Sequence, residues 1–273
     1  MVIKLIYYNA MRKIGIEECH KLLLGIAKEF DAICTKHNIP YFMLGGTMLG
    51  AIRHKGFIPW DDDMDFGVPR EHYDKLLLIL EKELPERYKC YTYQNNKAVK
   101  TPFAKMTDTT TRINDPRVNL PIEEQIGVNI DIFPLDYCEP DDTRIKKIYL
   151  IEKIRQVIFI NPPVKNSLKL FIKRILRMLS PVSNTYLTNK SISMVSKLKK
   201  GSYIGNIFGR WKEREIIPID WYGIGVRYKF EDITLCGLKE YDKYLTKLYK
   251  DYMQLPPAEK QSAHVNGIYI MNM

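Results

Sequence analysis

Two stretches far apart in the chain share one pattern. Asp63-Met64-Asp65-Phe66-Gly67-Val68 is followed by Pro69, and Val128-Asn129-Ile130-Asp131-Ile132-Phe133 is followed by Pro134. Polar and apolar side chains alternating at period two mark a strand with one face buried, and a proline that cannot donate to the ladder is expected to end it. A chain holding both runs must build a sheet, and its acids constrain what that sheet does. Asp63 and Asp65, one residue apart on a predicted strand, leave the same face together. Two ionised carboxylates that close repel each other, and burial would push one pKa up. A hard divalent cation removes the conflict because it prefers oxygen ligands; Mg²⁺ is the expected ion, with Mn²⁺ as the alternative. Asp131, alone between Ile130 and Ile132, is expected to complete the site. By composition Asp136 has an equal claim, and Asp61-Asp62-Asp63 also reads as a solvated turn.

Upstream, the apolar run Tyr41–Leu44 leads into Gly45-Gly46-Thr47 and a predicted helix start. Backbone N–H groups at the positive end of a helix suit a phosphate, so Gly45, Gly46 and Thr47 are candidate phosphate-binding residues, with helix capping as a compatible role for Thr47. Arg53 suits either a bidentate phosphate contact or an ion pair with a surplus aspartate. His54 reads as structural. A phosphate cradle ahead of a metal-binding acidic pair is the layout that transfer at phosphorus requires.

The rest of the chain supports an α+β fold in which a small mixed sheet with helices carries a largely helical basic region. Helices are predicted over 17–37, 70–83 and 239–253, and short strands over 88–94, 102–107 and 111–114. The 273 residues are read as one domain, with a core at 17–140 and 203–273 and an insertion at about 143–200. That insertion holds fourteen Lys or Arg against one acid, Glu152, more surplus than the whole chain's +10, so the remainder is net acidic. Within it Leu168, Phe171, Ile172, Ile175, Leu176 and Leu179 recur at helical spacing opposite Lys169, Lys173, Arg174 and Arg177. Such a helix either docks its apolar face on the core or meets an anionic membrane surface. No helix-turn-helix, zinc-finger or aromatic-basic pattern occurs, so no nucleic-acid partner is expected. The five cysteines are scattered without metal spacing and read as reduced thiols. No apolar run is long enough to span a membrane and the opening stretch is a poor secretory signal, so a cytoplasmic location, peripheral on the inner membrane face, is expected.

These motifs bear a resemblance. YFMLGGTMLGAIRHKGFIPWDDDMDFGVPREHYDKL is similar to the signature of the LicD family of phosphotransferases, VNIDIFPLDYC to its second signature, and YDKYLTKLYKDYMQLPP followed by His264 to its C-terminal one. The likeness runs from about Ile39 to His264. It implies a nucleotidyltransferase-type fold with Gly45 and Gly46 in the phosphate loop. It further implies that Asp63 and Asp65 are the metal-binding pair and Asp131 the third acid. Also implied are a CDP-linked alcohol as donor, phosphocholine as the usual cargo, a glycan or lipid-linked saccharide hydroxyl as acceptor, and CMP as product. On that reading Asp131 takes the proton of the attacking hydroxyl. Choline would want an aromatic cage, for which Trp60, Trp211 and Trp221 are available. Two rivals share the pattern: nucleotidyl transfer to a small molecule, and a non-catalytic glycan- or membrane-binding scaffold. The chain departs from the family where a usual Gly is replaced by Lys250 and a frequent Pro by Gly237-Leu238.

Overall fold

The computed structural model describes residues 11–118, 120–161, 167–262 and 267–271; His264 lies outside them. In chain order the first strands are β1 (Met11–Ile14), β2 (Phe42–Met43), β3 (Asp65–Pro69), β4 (Tyr88–Tyr91), β5 (Ala104–Asp108) and β6 (Thr111–Ile113). They are followed by the long β7 (Asn129–Cys138), then β8 (Tyr203–Gly205), β9 (Ile216–Pro218), β10 (Val226–Phe230), β11 (Ile233–Gly237) and β12 (Ile268–Met271). The first helices are α1 (Ile16–Lys36), α2 (Gly45–Arg53), α3 (Arg70–Glu83) and α4 (Thr143–Phe159). After them come α5 (Ser167–Leu179), α6 (Asn184–Val195), the one-turn α7 (Ile219–Tyr222) and α8 (Tyr241–Tyr249).

The main sheet is mixed, in the order β2-β3-β7-β5-β4, with β8 joined to the far end of β7 and β9 to β8. Only β3 and β7 run parallel; the other pairs in this sheet are antiparallel. Helix α1 lies against it through Leu23, Ile26, Ala27, Phe30 and Ile33, spaced to share one face, and Phe30 meets Phe66 of β3 with ring centroids 5.0 Å apart. Glu17 and Glu18 in its first turn and Lys36 in its last complement the helix dipole. The fold is α+β, as the pattern predicts.

Several boundaries differ from expectation. Strand β3 begins at Asp65, so Asp63 lies just ahead of the strand rather than on the ladder. Strand β7 continues through Pro134 to Cys138. It does so because β5 pairs with it only as far as Ile132 and β8 takes over only at Asp136, so that edge needs no donor from Pro134. Strand β4 stops at Tyr91, short of the predicted Gln94. The last helix is cut to Tyr241–Tyr249 by Lys250, whose φ of 62° and ψ of −113° leave the helical region.

Segment 143–200 folds into α4, α5 and α6. Ile145, Ile148 and Tyr149 of α4 and Val195, the last residue of α6, form a second small core with Cys138 and Ile216. Glu152 and Arg155 are buried there as an ion pair (2.7 Å), and Glu152 also accepts from Ser191 Oγ at 2.8 Å.

Candidate active site

Register decides which acids meet. In the parallel β3–β7 pair Asp65 stands opposite Asp131, and in the antiparallel β5–β7 pair Lys105 stands opposite Asp131. Residues directly opposite in a ladder share a face, so two carboxylates and an ammonium lie side by side on three adjacent strands. The Lys105 ammonium is paired with Asp131 and also donates to Asn129 Oδ1 at 3.2 Å. It holds against Asp131 a position that suits a cation. Asp136, the rival by composition, is buried and takes a two-pronged contact from Arg70, Nε to Oδ1 at 2.7 Å and Nη2 to Oδ2 at 2.9 Å. It is part of a structural ion pair.

Further carboxylates crowd Asp65. Burial, followed by the charges of Asp63, Asp131, Asp61 and Glu215, holds its carboxyl well above the usual carboxylate range. Among the described residues, the set with ligand oxygens all within 4.8 Å of one another is Asp61, Asp62 and Asp63, so the predicted solvated turn has metal-ligand spacing. The turn is fixed from behind, where the His20 ring Nε2–H donates to the Asp61 carbonyl at 2.7 Å and the ring stacks on Phe57 at 4.1 Å. Oxygen-only donors, a surplus of negative charge and a half-buried acid with a raised pKa fit a hard divalent cation.

The glycine turn serves this cluster in an unexpected way. Gly45 adopts φ +47°, and its N–H donates to Tyr244 Oη at 3.0 Å, so that amide is not aimed at a ligand. At Gly46 a Cβ would stand 2.6 Å from Asp61 Oδ2; the missing side chain lets that carboxylate approach the N-terminus of α2. Thr47 is buried and its hydroxyl accepts the Asp65 N–H at 2.8 Å. It braces β3 against α2, and neither caps the helix nor faces the cavity. Arg53 does line the cavity, and in place of the aspartate ion pair weighed from sequence Nη1 donates to the Tyr252 carbonyl at 2.7 Å and Nε to His54 Nε2 at 3.0 Å. His54, its pKa lowered by burial and by Arg53, is the acceptor in that bond and is structural.

The acids form one end of a cavity of about 1510 Å³, larger than the ~300–1,000 Å³ typical of one small ligand. Gly45, Gly46, Asp61, Asp63, Asp65 and Asp131 all line it. Trp60 and Trp211 line it too, whereas Trp221 does not. Trp211 meets Tyr249 edge-on (5.2 Å, 82°).

Other charged residues of the wall belong to no motif, and three of them bear on the acids. Lys105 is one. Arg117 is held by Asp115 at 2.8 Å and lies within reach of the charges of Asp131 and Asp63. Glu215 is buried; desolvation lifts its pKa to about 7 against the restraint of the Trp211 N–H (2.8 Å) and the Asn206 side chain. Only for Lys105, a single cation on a predicted strand, did the sequence hold a signal.

Comparison with known proteins gives a relative over nearly the whole chain. Residues 38–159 match the LicD/FKTN/FKRP nucleotidyltransferase domain. Over 281 aligned residues the chain is 31% identical to the lipopolysaccharide cholinephosphotransferase LicD of Haemophilus influenzae, covering 96% of this chain and 100% of that protein. A stretch of 58 residues is 43% identical to an uncharacterized protein of Rickettsia typhi, covering 20% of this chain and 19% of that one. The crystal structure of ANT(2″)-Ia in complex with adenylyl-2″-tobramycin is matched over 62% of this chain and 96% of its own, at 14% identity and a TM-score of 0.24.

Proposed function

The chain belongs to the LicD family, and from that premise we propose that it moves a phospho-alcohol group, phosphocholine first among them, from a CDP-linked donor to a sugar hydroxyl of a cell-surface glycan such as lipopolysaccharide, releasing CMP. The observation that carries the reading is the register pairing of Asp65 with Asp131 at the acid-lined end of a cavity large enough for two substrates.

Asp63, Asp65 and Asp131 are the proposed ligands of Mg²⁺ or Mn²⁺, and the spacing of Asp61 and Asp62 adds them to the candidate set. Such an ion, when bound, would neutralise the donor pyrophosphate. The chain's own residues do the rest. Gly46 keeps the start of α2 open beside the acids, and Arg117, a wall cation that feels the charges of Asp131 and Asp63, suits a phosphate oxygen. Arg53 sets the Tyr252–Gln254 segment against the cavity from behind. Asp131 is the proposed proton acceptor: as the acceptor oxygen bonds to the choline-bearing phosphorus, the bond to the CMP oxygen breaks and the hydroxyl proton passes to Asp131. Trp60, Trp211 and Tyr249 supply aromatic surface for a quaternary ammonium. The proposed place of work is the cytoplasmic face of the membrane.

The test is to incubate the full chain with a panel of CDP-alcohols, Mg²⁺ or Mn²⁺ and a lipopolysaccharide acceptor, and to follow CMP. Metal-dependent CMP release with label transferred to the glycan is expected. Pyrophosphate release from a nucleoside triphosphate would replace the reading by nucleotidyl transfer, and no turnover with any donor would replace it by a binding scaffold.

A further inference from the structure

Helix α5 is turned opposite to what its pattern suggests. Its apolar stripe suits docking on a core, yet the residues that face the protein are the cations between. Lys173 Nζ donates to the carbonyl of Gln156 (3.2 Å) and to that of Ile160. Arg177 donates through Nε to the Ile158 carbonyl (2.9 Å) and through Nη2 to the Phe159 carbonyl (2.9 Å) and Asn161 Oδ1 (2.7 Å). The last carbonyls of a helix have no following turn to bond; here the Gln156 carbonyl also accepts the Ile160 N–H at 3.1 Å, while the two side chains serve those of Ile158, Phe159 and Ile160. Residues 173 and 177 lie half a turn from Leu168, Phe171, Ile172 and Leu179, so anchoring the cations inward faces the apolar stripe outward. Leu168 is 66% exposed, Phe171 59% and Leu179 72%.

Helix α4 extends the same surface. Leu150, Ile154 and Val157, at spacings of four and three, are exposed, while its other face is spent on α6 and the Glu152–Arg155 pair. Lys146, Lys147 and Lys153 of α4 and Arg174 of α5 are exposed on the same two helices. No described element covers that surface. A second copy is a poor occupant, because pairing would bring two surfaces of the same strong positive charge together. A surface of lipid phosphates over acyl chains matches both the charge and the apolar stripe.

We propose that α4 and α5 form a platform that docks on an anionic lipid bilayer, with the apolar stripe at the headgroup boundary and the exposed cations on lipid phosphates. Among the described residues no helix is long and apolar enough to cross a membrane, so the contact is peripheral. Val157, Ile160, Lys153 and Lys173 also line the cavity, so its mouth opens beside the platform. That an acceptor held in the bilayer enters there rests on the proposed transfer; docking itself does not.

The test is co-sedimentation of the full chain with vesicles of phosphatidylethanolamine and phosphatidylglycerol, against vesicles of phosphatidylcholine alone. Binding to the anionic vesicles at low salt is expected. Phe171→Glu with Leu179→Glu should weaken it at least about tenfold, since each loses a large buried apolar group. Both positions are exposed, so the melting temperature should hold. Should the double variant not fold, Met178→Cys carrying an environment-sensitive dye gives a second measurement, a blue shift being expected with anionic vesicles only. Equal binding to both vesicle types, binding that survives the double substitution, no blue shift, or a solution dimer that the substitutions dissociate would each overturn the proposal. Binding is read without turnover, so it stands or falls apart from the transferase reading.

Discussion

Glu215 makes folding stability depend on pH in a direction that can be calculated. Its carboxyl is buried, and desolvation moves the pKa from 4.5 to about 7. Below pH 4.5 both native and unfolded chains hold the proton, and the group contributes no difference. Between pH 4.5 and 7 the unfolded chain has released its proton and the native chain has kept it, so native stability falls by about 1.4 kcal/mol per pH unit. Above pH 7 both states are ionised, and the accumulated loss is about 3 kcal/mol. Glu215→Gln keeps a similar shape and an oxygen to accept the Trp211 N–H, but cannot ionise. The two proteins should therefore have similar unfolding free energies near pH 4.5 and diverge steadily, with the variant more stable by about 3 kcal/mol at pH 8. Urea unfolding of both proteins in metal-free buffer at half-unit steps measures this, and subtraction cancels the titration of other acids. A constant difference across the range, or a wild type that gains on the variant as pH rises, would show that the buried acid is not proton-bound in the native state.

Asp131 and Asp136 should separate cleanly. Asp131→Asn, which keeps an oxygen for the Lys105 ammonium and leaves Asp65 opposite, is expected to lower metal-dependent CMP release by about 10²–10³-fold, whereas Asp136→Ala strands the Arg70 charge and should cost about 3 kcal/mol by urea unfolding, more than the Asn variant loses. Mg²⁺ at a hundredfold over its Kd should stabilise the wild type by about 2.7 kcal/mol in a thermal shift assay, and Asp65→Asn should abolish that gain. Lys250→Gly should stabilise the fold by about 1 kcal/mol and raise the melting temperature about 2–4 °C, because an exposed lysine there holds φ 62° and ψ −113°. An unchanged melting temperature would mean that the backbone there carries no strain.

Periodicity alone determined much of this protein. It separated α1 from the strands and marked the two acid-bearing runs. It also placed Asp65 and Asp131 each on a strand face, because these are local properties of a helix at 3.6 and a strand at 2 residues per repeat. What lay across from those faces was decided only in three dimensions. The parallel register of β3 and β7 aligned Asp65 with Asp131, while Arg70 took Asp136 out of contention. The Thr47 hydroxyl went to the Asp65 amide, and Glu215 reached the cavity wall from a turn without a motif. Helix α5 is the sharpest case: its sequence shows two opposed faces with equal clarity, and unsatisfied carbonyls at the end of α4 chose which one turns inward. A single side chain knows its neighbours along the chain, but its hydrogen-bond partner is the outcome of a competition among groups that only the folded chain brings within reach.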